Sequence, residues 1–238
     1  MPATRRPTKG GPAKATRASR LAEEIRQAIL SGEMEPGSRV NLDRLRERFG
    51  VSLSPVREAV ARLVHAGLVE FEDQRGYRVA QVSADNLAEV TRLRAELESL
   101  AAGLAAERAG LDWEGEVMAA LHRLNRVDPA DAFGWDAAHA TFHHTLVGGA
   151  GMPILSDFCA ILLGLHERYR RIGGNTPPPT GAAGHDAIVE AAALRRDAQA
   201  ARQLVRAQIE DWGERLARRF EDHTSHASRP TTRNSLQG

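Results

Sequence analysis

Residues 50–67, GVSLSPVREAVARLVHAG, present a chain break, a cap and an amphipathic segment in immediate succession, and that order restricts what the neighbouring chain can build. Leu45 and Phe49 close an apolar-periodic segment, and Gly50 interrupts it. Ser54-Pro55 reads as a helix N-cap followed by proline at the first helical position, where the missing N–H leaves nothing unsatisfied. Val56, Val60, Leu63 and Val64 recur at helical spacing, leaving Ser52, Ser54, Arg57, Arg62 and His65 on other faces. Alone, the window is either the second half of a helix-turn-helix or an ordinary amphipathic helix with a solvated basic face. The flanking chain decides between them.

Upstream, Ser19 is placed to cap a helix whose Leu21, Ile25, Ala28 and Ile29 share one face and which ends at Gly32. Residues 35–38 form a turn by their Pro-Gly pair, and Val40 leads into a second short helix from Asn41 or Leu42 to Phe49, with Leu42, Leu45 and Phe49 inward. After Gly67 the period changes: 68–72 and 77–80 read as two short strands joined through Asp73, Gln74, Arg75 and Gly76. Three short helices and a β-hairpin make a winged helix-turn-helix, a unit whose third helix can enter a major groove while the hairpin tip lies along a neighbouring one.

These residues carry a family resemblance. Ile25-Arg26, Ile29, Gly32, Pro36-Gly37, Leu45, Phe49-Gly50-Val51-Ser52, Pro55-Val56-Arg57-Glu58-Ala59-Val60, Leu63, Gly67-Leu68-Val69, Arg75-Gly76 and Val79 stand in an order and spacing that resembles the N-terminal domain of the GntR family of bacterial transcription regulators. The resemblance implies that Arg57, Arg75 and Gly76 contact double-stranded operator DNA, and Ser52, Ser54 and Arg62 complete the expected DNA-facing set. One position departs from the pattern: the family commonly has arginine just before the Ser/Thr-Pro pair, and this chain has Leu53. A leucine cannot donate to guanine O6 and N7, so that base contact is either lost or replaced by an apolar one, as to a thymine methyl.

The charge is uneven. The net charge is +1, yet the first twenty residues carry Arg5, Arg6, Lys9, Lys14, Arg17 and Arg20 with no acid. Residues 1–18 therefore read as a disordered basic tail, either a partner for nucleic-acid phosphate or an uninformative leader, and 223–238 as a polar disordered tail. Between them the expected units are a winged helix-turn-helix over 19–81 and an all-helical domain over 82–222. The longest apolar run, around 159–165, is far short of a membrane span, and no signal-peptide pattern opens the chain, so the expectation is a cytoplasmic, nucleoid-associated protein with no membrane partner. The single cysteine, Cys159, excludes an internal disulfide and reads as a small buried hydrophobe.

From Ser83 onward the pattern is helical throughout, giving a mainly α fold. Ser83 caps a helix through Leu87, Val90, Leu93, Leu97, Leu100 and Leu104 to about Ala109, stopped by Gly110. Further helices are expected at 113–126, 130–147, 153–172, 182–195 and 197–220, with Gly- and Pro-rich loops between them. About six helices joined by short turns can bury their stripes only against one another, which makes an antiparallel bundle. Leu93-Arg94, Leu97-Glu98, Ala101-Ala102, Phe142-His143, Leu146, His185, Ile188, Ala191, Asp197 and Ala201 resemble the FCD domain of the FadR subgroup of the same family. That resemblance implies a homodimeric regulator whose bundle binds a small metabolite, often a carboxylate, through a metal held by one Asp and three His.

His139 and His143 are four apart on a predicted helix and so share a face. By the family pattern His139 stands where the Asp is expected, His143 and His185 match ligand positions, and Gln208, eleven residues beyond Asp197, stands where the last His is expected. The chain also has one extra residue between His185 and Asp197 relative to that pattern. Three imidazoles and an amide suit Zn²⁺ or Ni²⁺ with a position open for a carboxylate; the alternative is a domain that has lost its metal and holds its effector without one. His144 and His166, the latter within HERYRR, read as surface positions, and Arg94 either pairs with Glu98 at i+4 or faces the effector. An enzyme is not expected: a metal-dependent one using the His set would need an acid placed as a base beside it, and neither HExxH nor a phosphate-binding loop is present. The expected function is a sequence-specific, effector-controlled DNA-binding regulator acting as a repressor.

Overall fold

Thr16, rather than Ser19, starts the first helix in the computed structural model, which describes residues 16–128, 130–173 and 181–227. The tails 1–15 and 228–238 and the triple-proline loop 174–180 lie outside the described residues. Helix α1 is Arg17–Leu30, and Thr16 Oγ1 accepts from Ser19 N at 3.1 Å. The earlier hydroxyl caps because Ala18, as well as Leu21, belongs to the buried stripe. Strand β1 (Arg39–Val40) and helix α2 (Leu42–Phe49) follow, with Asn41 Oδ1 accepting from the Asp43 and Arg44 amides. Gly50 ends α2 at φ 60°, a left-handed conformation that glycine adopts without the cost of a Cβ.

Helix α3 is Leu53–His65, two residues longer at its start than Ser54-Pro55 indicated. Ser52 is the N-cap residue, and Pro55 is third in the helix. The whole first turn lacks intrahelical N–H partners, so proline is as well tolerated there as at the first position. Strands β2 (Val69–Glu72) and β3 (Gly76–Val79) form the wing, and β1 adds to β3, giving an antiparallel order β1-β3-β2 with Arg39 opposite Arg78 and Val69 opposite Val79. The core beneath them is Leu21, Ile25, Ile29, Val56, Val60, Leu63 and Val79.

The second half is helical: α4 (Ala84–Arg108), α5 (Leu111–Leu124), α6 (Ala132–Gly148), α7 (Pro153–Ile172), α8 (Gly181–Val189) and α9 (Ala198–Ala227). Ser83 caps α4, its Oγ accepting from Asn86 N at 3.1 Å. Val117, Phe142, Leu146, Ile188, Val205 and Ile209 form the bundle core, and α4 lies against both α7 and α9. The helix expected over 182–195 ends differently: Glu190–Leu194 is a π-turn in which Arg195 N donates to Glu190 O at 2.8 Å, five residues back. A turn closed at i+5 takes up one residue more than an α-turn, and it lies between His185 and Asp197.

Candidate functional site

Helix α6 places His139 and His143 one turn apart, and α8 brings His185 against them. Their ligating nitrogens lie within 4.8 Å of one another, and all three rings are buried. The indole of Trp135 stacks on His139 at 4.5 Å, while Trp212 of α9 meets the same ring edge-on at 5.2 Å. Burial first, and the neighbouring His143 and His185 second, hold the His139 imidazole well below its ordinary range, so it is neutral with a lone pair to offer. Neither ring nitrogen of His139 has a hydrogen-bond partner. Buried polar atoms are rarely left so, and this donor set fits a divalent transition ion. Gln208 lies one turn before Trp212 on α9, with its Nε2 buried and lacking a partner.

Behind this cluster is an ion-pair network that the sequence only half disclosed. Arg94 is fully buried, its Nε 2.6 Å from Glu98 Oε1 and its Nη1 3.2 Å from His166 Nδ1. Of the two roles open to Arg94, the structure shows the pair with Glu98. Glu98 Oε2 in turn lies 2.7 Å from His143 Nδ1, leaving Nε2 of that ring for the cluster. Burial pushes the Glu98 carboxyl up, but Arg94 and His143 more than offset it and hold it at about 2. His166 is therefore not a surface residue: it is 1% exposed, packed on Trp212, and kept neutral by burial and by the Arg94 charge. His144 is exposed, as its position on the other face of α6 implies, and Cys159 is buried with its thiol pushed up to about 12 by that burial.

Helix α7 joins the network to the winged unit. Leu165 packs into the winged core, and Glu167 Oε2 lies 3.5 Å from Arg26 Nη1 on α1. Arg168 Nη2 donates to Ala80 O at 2.6 Å; Tyr169 Oη accepts from Ser83 N at 3.1 Å and donates to Asn86 Oδ1 at 2.8 Å. Arg170 and Arg171 both pair with Asp136 of α6. Five successive residues, His166 to Arg170, are thus buried, because α7 is covered by the bundle on one side and the winged unit on the other.

On the far side of the winged unit, Ser52, Ser54, Arg57 and Arg62 are exposed along α3, and Arg75 is exposed beside Gly76 at the wing tip. Leu53 is half-buried at the start of α3. Residues 17–79 match the family model for bacterial regulatory proteins of the gntR family, and residues 89–211 match the FCD domain. This chain belongs to the GntR family, with an FCD domain. It is a transcriptional regulator whose family binds DNA and is not one of enzymes. The HTH-type transcriptional repressor GlaR of Escherichia coli K12 is 33% identical over 153 residues, covering 62% of this chain and 70% of that protein. The HTH-type transcriptional regulator BphR of Paraburkholderia xenovorans is 32% identical over 197 residues, covering 79% and 80%. Among solved structures, E. coli McbR/YncC superposes with a TM-score of 0.70 at 21% identity over 87% of this chain and all (100%) of that one, which shows the shared fold. No helix among the described residues is long and apolar enough to cross a membrane.

Within this GntR chain, sequence reasoning brought His139, His143 and His185 together correctly but missed His166 and the Glu98 contact to His143. Glu98 had a signal in its i+4 spacing from Arg94, and His166 had one in its place four and three residues beyond Leu162 and Leu163 on the buried stripe, outweighed by the charged residues that follow it.

Proposed function

We propose that this regulator is an effector-responsive repressor, in which a small carboxylate binds in the bundle beside a divalent transition ion, zinc or nickel, held by His139, His143 and His185 with the Gln208 amide as fourth ligand. The observation that carries the reading is the convergence of the three buried histidines, with both nitrogens of a neutral His139 unpartnered. When bound, a dication among neutral imidazoles supplies uncompensated positive charge and an open position suited to an anionic oxygen. Glu98 orients the His143 ring through Nδ1, and Arg94 fixes Glu98, so Arg94 acts on the site from behind. Purified protein is expected to retain about one ion per chain; chelation or His143→Ala should remove both the ion and the response of DNA binding to carboxylates. Metal content below about a tenth of an ion per chain, with the carboxylate response intact, would reject the ion in favour of a metal-free pocket.

The same reading has two copies of the chain present two α3 helices to successive major grooves, about 34 Å apart. A leucine stripe supports a homodimer: Leu93 and Leu100 on α4 are 45% and 40% exposed, beside Ile154 and Phe158 of α7 at 75% and 54%. Ser52, Ser54, Arg57 and Arg62 on α3, with Arg75 and Gly76 at the wing, are the DNA-facing set. GlaR is named a repressor, which supports the direction of control. Movement of α7 on effector binding would reach the winged unit through its bonds to Ala80 and Ser83. Arg57→Ala is expected to weaken operator binding by about 1–3 kcal/mol if the guanidinium reads a base. If it holds a phosphate instead, binding should weaken on all sequences alike, and the salt slope should fall by about 1. Gel-shift titrations at several salt concentrations measure both, and unchanged affinity and slope would remove Arg57 from the interface.

A further inference from the structure

A cavity of about 440 Å³ opens between α6, α7 and the winged unit, with His143 in its wall. Of the metal cluster it touches His143 alone, and part of its wall is the DNA-binding unit: Glu23 and Arg26 of α1, and Ala66 and Leu68 just after α3. A space of this size is in the range that encloses a small organic molecule. Its surface is mostly apolar, with Ala160, Leu163 and Gly164 of α7 along one side.

The charged groups on the wall are unequal. Glu23, Glu98, Asp136 and Glu167 line the cavity against one guanidinium, Arg26. The other carboxylates are engaged: Glu98 by Arg94 and His143, Asp136 by Arg170 and Arg171, and Glu23 by Arg26 and Gln27. Glu167 differs from them. It is 4% exposed, its Oε2 has only the 3.5 Å contact to Arg26, and its Oε1 is buried with no hydrogen-bond partner. An acceptor so placed is costly to leave unmet.

The geometry points to a second ligand site here, at the seam between the two domains, for a small molecule that presents a protonated amine on an apolar body, with Glu167 Oε1 accepting from the ammonium. The unmet Glu167 Oε1 selects a hydrogen-bond donor over an anion, and the apolar wall selects a body larger than ammonium itself. Because Arg26 and Leu68 belong to the winged unit, an occupant touches both domains at once and alters how firmly they are held together. The site shares His143 as wall with the histidine cluster but takes its donor at Glu167 and needs no ion.

Three probes of one shape separate the possibilities: phenethylamine, 2-phenylethanol and phenylacetate, titrated by calorimetry into the full-length, chelator-treated protein. The amine is expected to bind about tenfold or more tightly than the alcohol, the difference made by a charge-assisted hydrogen bond, with the carboxylate weakest. Glu167→Gln should abolish the preference for amine over alcohol. Gly164→Leu, whose Cβ meets no atom within 4 Å, should extend into the cavity and weaken amine binding without touching a charge. Equal binding of amine and alcohol, a preference that survives Glu167→Gln or is lost on chelation, or no binding by any probe, would overturn the proposal. Loss of carboxylate response on chelation bears on the metal reading alone.

Discussion

Glu98→Ala is expected to destabilise the chelator-treated protein by about 3–5 kcal/mol, more than any surface change in the winged unit. Glu98 and Arg94 are 1% and 0% exposed, and each balances the other's charge in a pair at 2.6 Å. A guanidinium cannot escape burial by losing its proton, so removing the carboxylate leaves a full charge facing the neutral His166 ring and the Trp212 indole, neither of which carries a compensating charge. His143 Nδ1 loses its partner as well. The reciprocal change, Arg94→Met, leaves a carboxylate that can protonate, and should cost less. Replacing both, Arg94→Met with Glu98→Leu, removes the uncompensated charge and is expected to recover most of the loss. Urea denaturation compares the four proteins, read as a shift in midpoint at constant slope. A single Glu98→Ala loss below about 1 kcal/mol would mean that water reaches the pair and that it does not anchor His143.

The limits of the sequence follow from what periodicity registers. Pro153 at the start and Gly173 after the end gave α7 its bounds, Pro153–Ile172, without error, because both residues act on the local backbone. The same helix defeated the reading of sidedness. HERYRR looks like a solvated face to a method that assumes one buried stripe per helix, whereas α7 is covered from two sides and several of its polar residues reach partners in other elements. Those partners, Arg26, Ala80 and Asn86, lie far from it in sequence, so no local pattern could announce them. Strand β1 was invisible for the opposite reason, being two residues long and formed only because β3 offers it an edge. The histidine cluster was legible because i and i+4 on one helix fix two of its members and the family pattern located the third.

Raising the pH from about 5 to about 8 is expected to cost the wild-type protein on the order of 3 kcal/mol relative to Glu167→Gln. Burial, and then the neighbouring Asp136 charge, push the Glu167 carboxyl up to about 7, although Arg26 on α1, Arg94 on α4 and Arg170 on α7 act to lower it. An acid that holds its proton more tightly folded than unfolded favours folding while protonated. That contribution is present below the unfolded value of 4.5 and is withdrawn as pH climbs to about 7. His139 and His166, held low by burial, run the other way: the unfolded chain takes up their protons below 6.5 and the folded chain does not, so they add stability as pH rises. The raw profile mixes these effects, and only the difference between wild type and Glu167→Gln isolates the carboxylate. That difference should be small near pH 5, favour the glutamine increasingly from there, and level off above pH 7. A difference that stays flat across the range would mean that Arg26 at 3.5 Å already neutralises Glu167. If it changes as expected, the seam between bundle and winged unit is weakest where Glu167 is ionised, and a cation in the adjoining cavity would strengthen it there most.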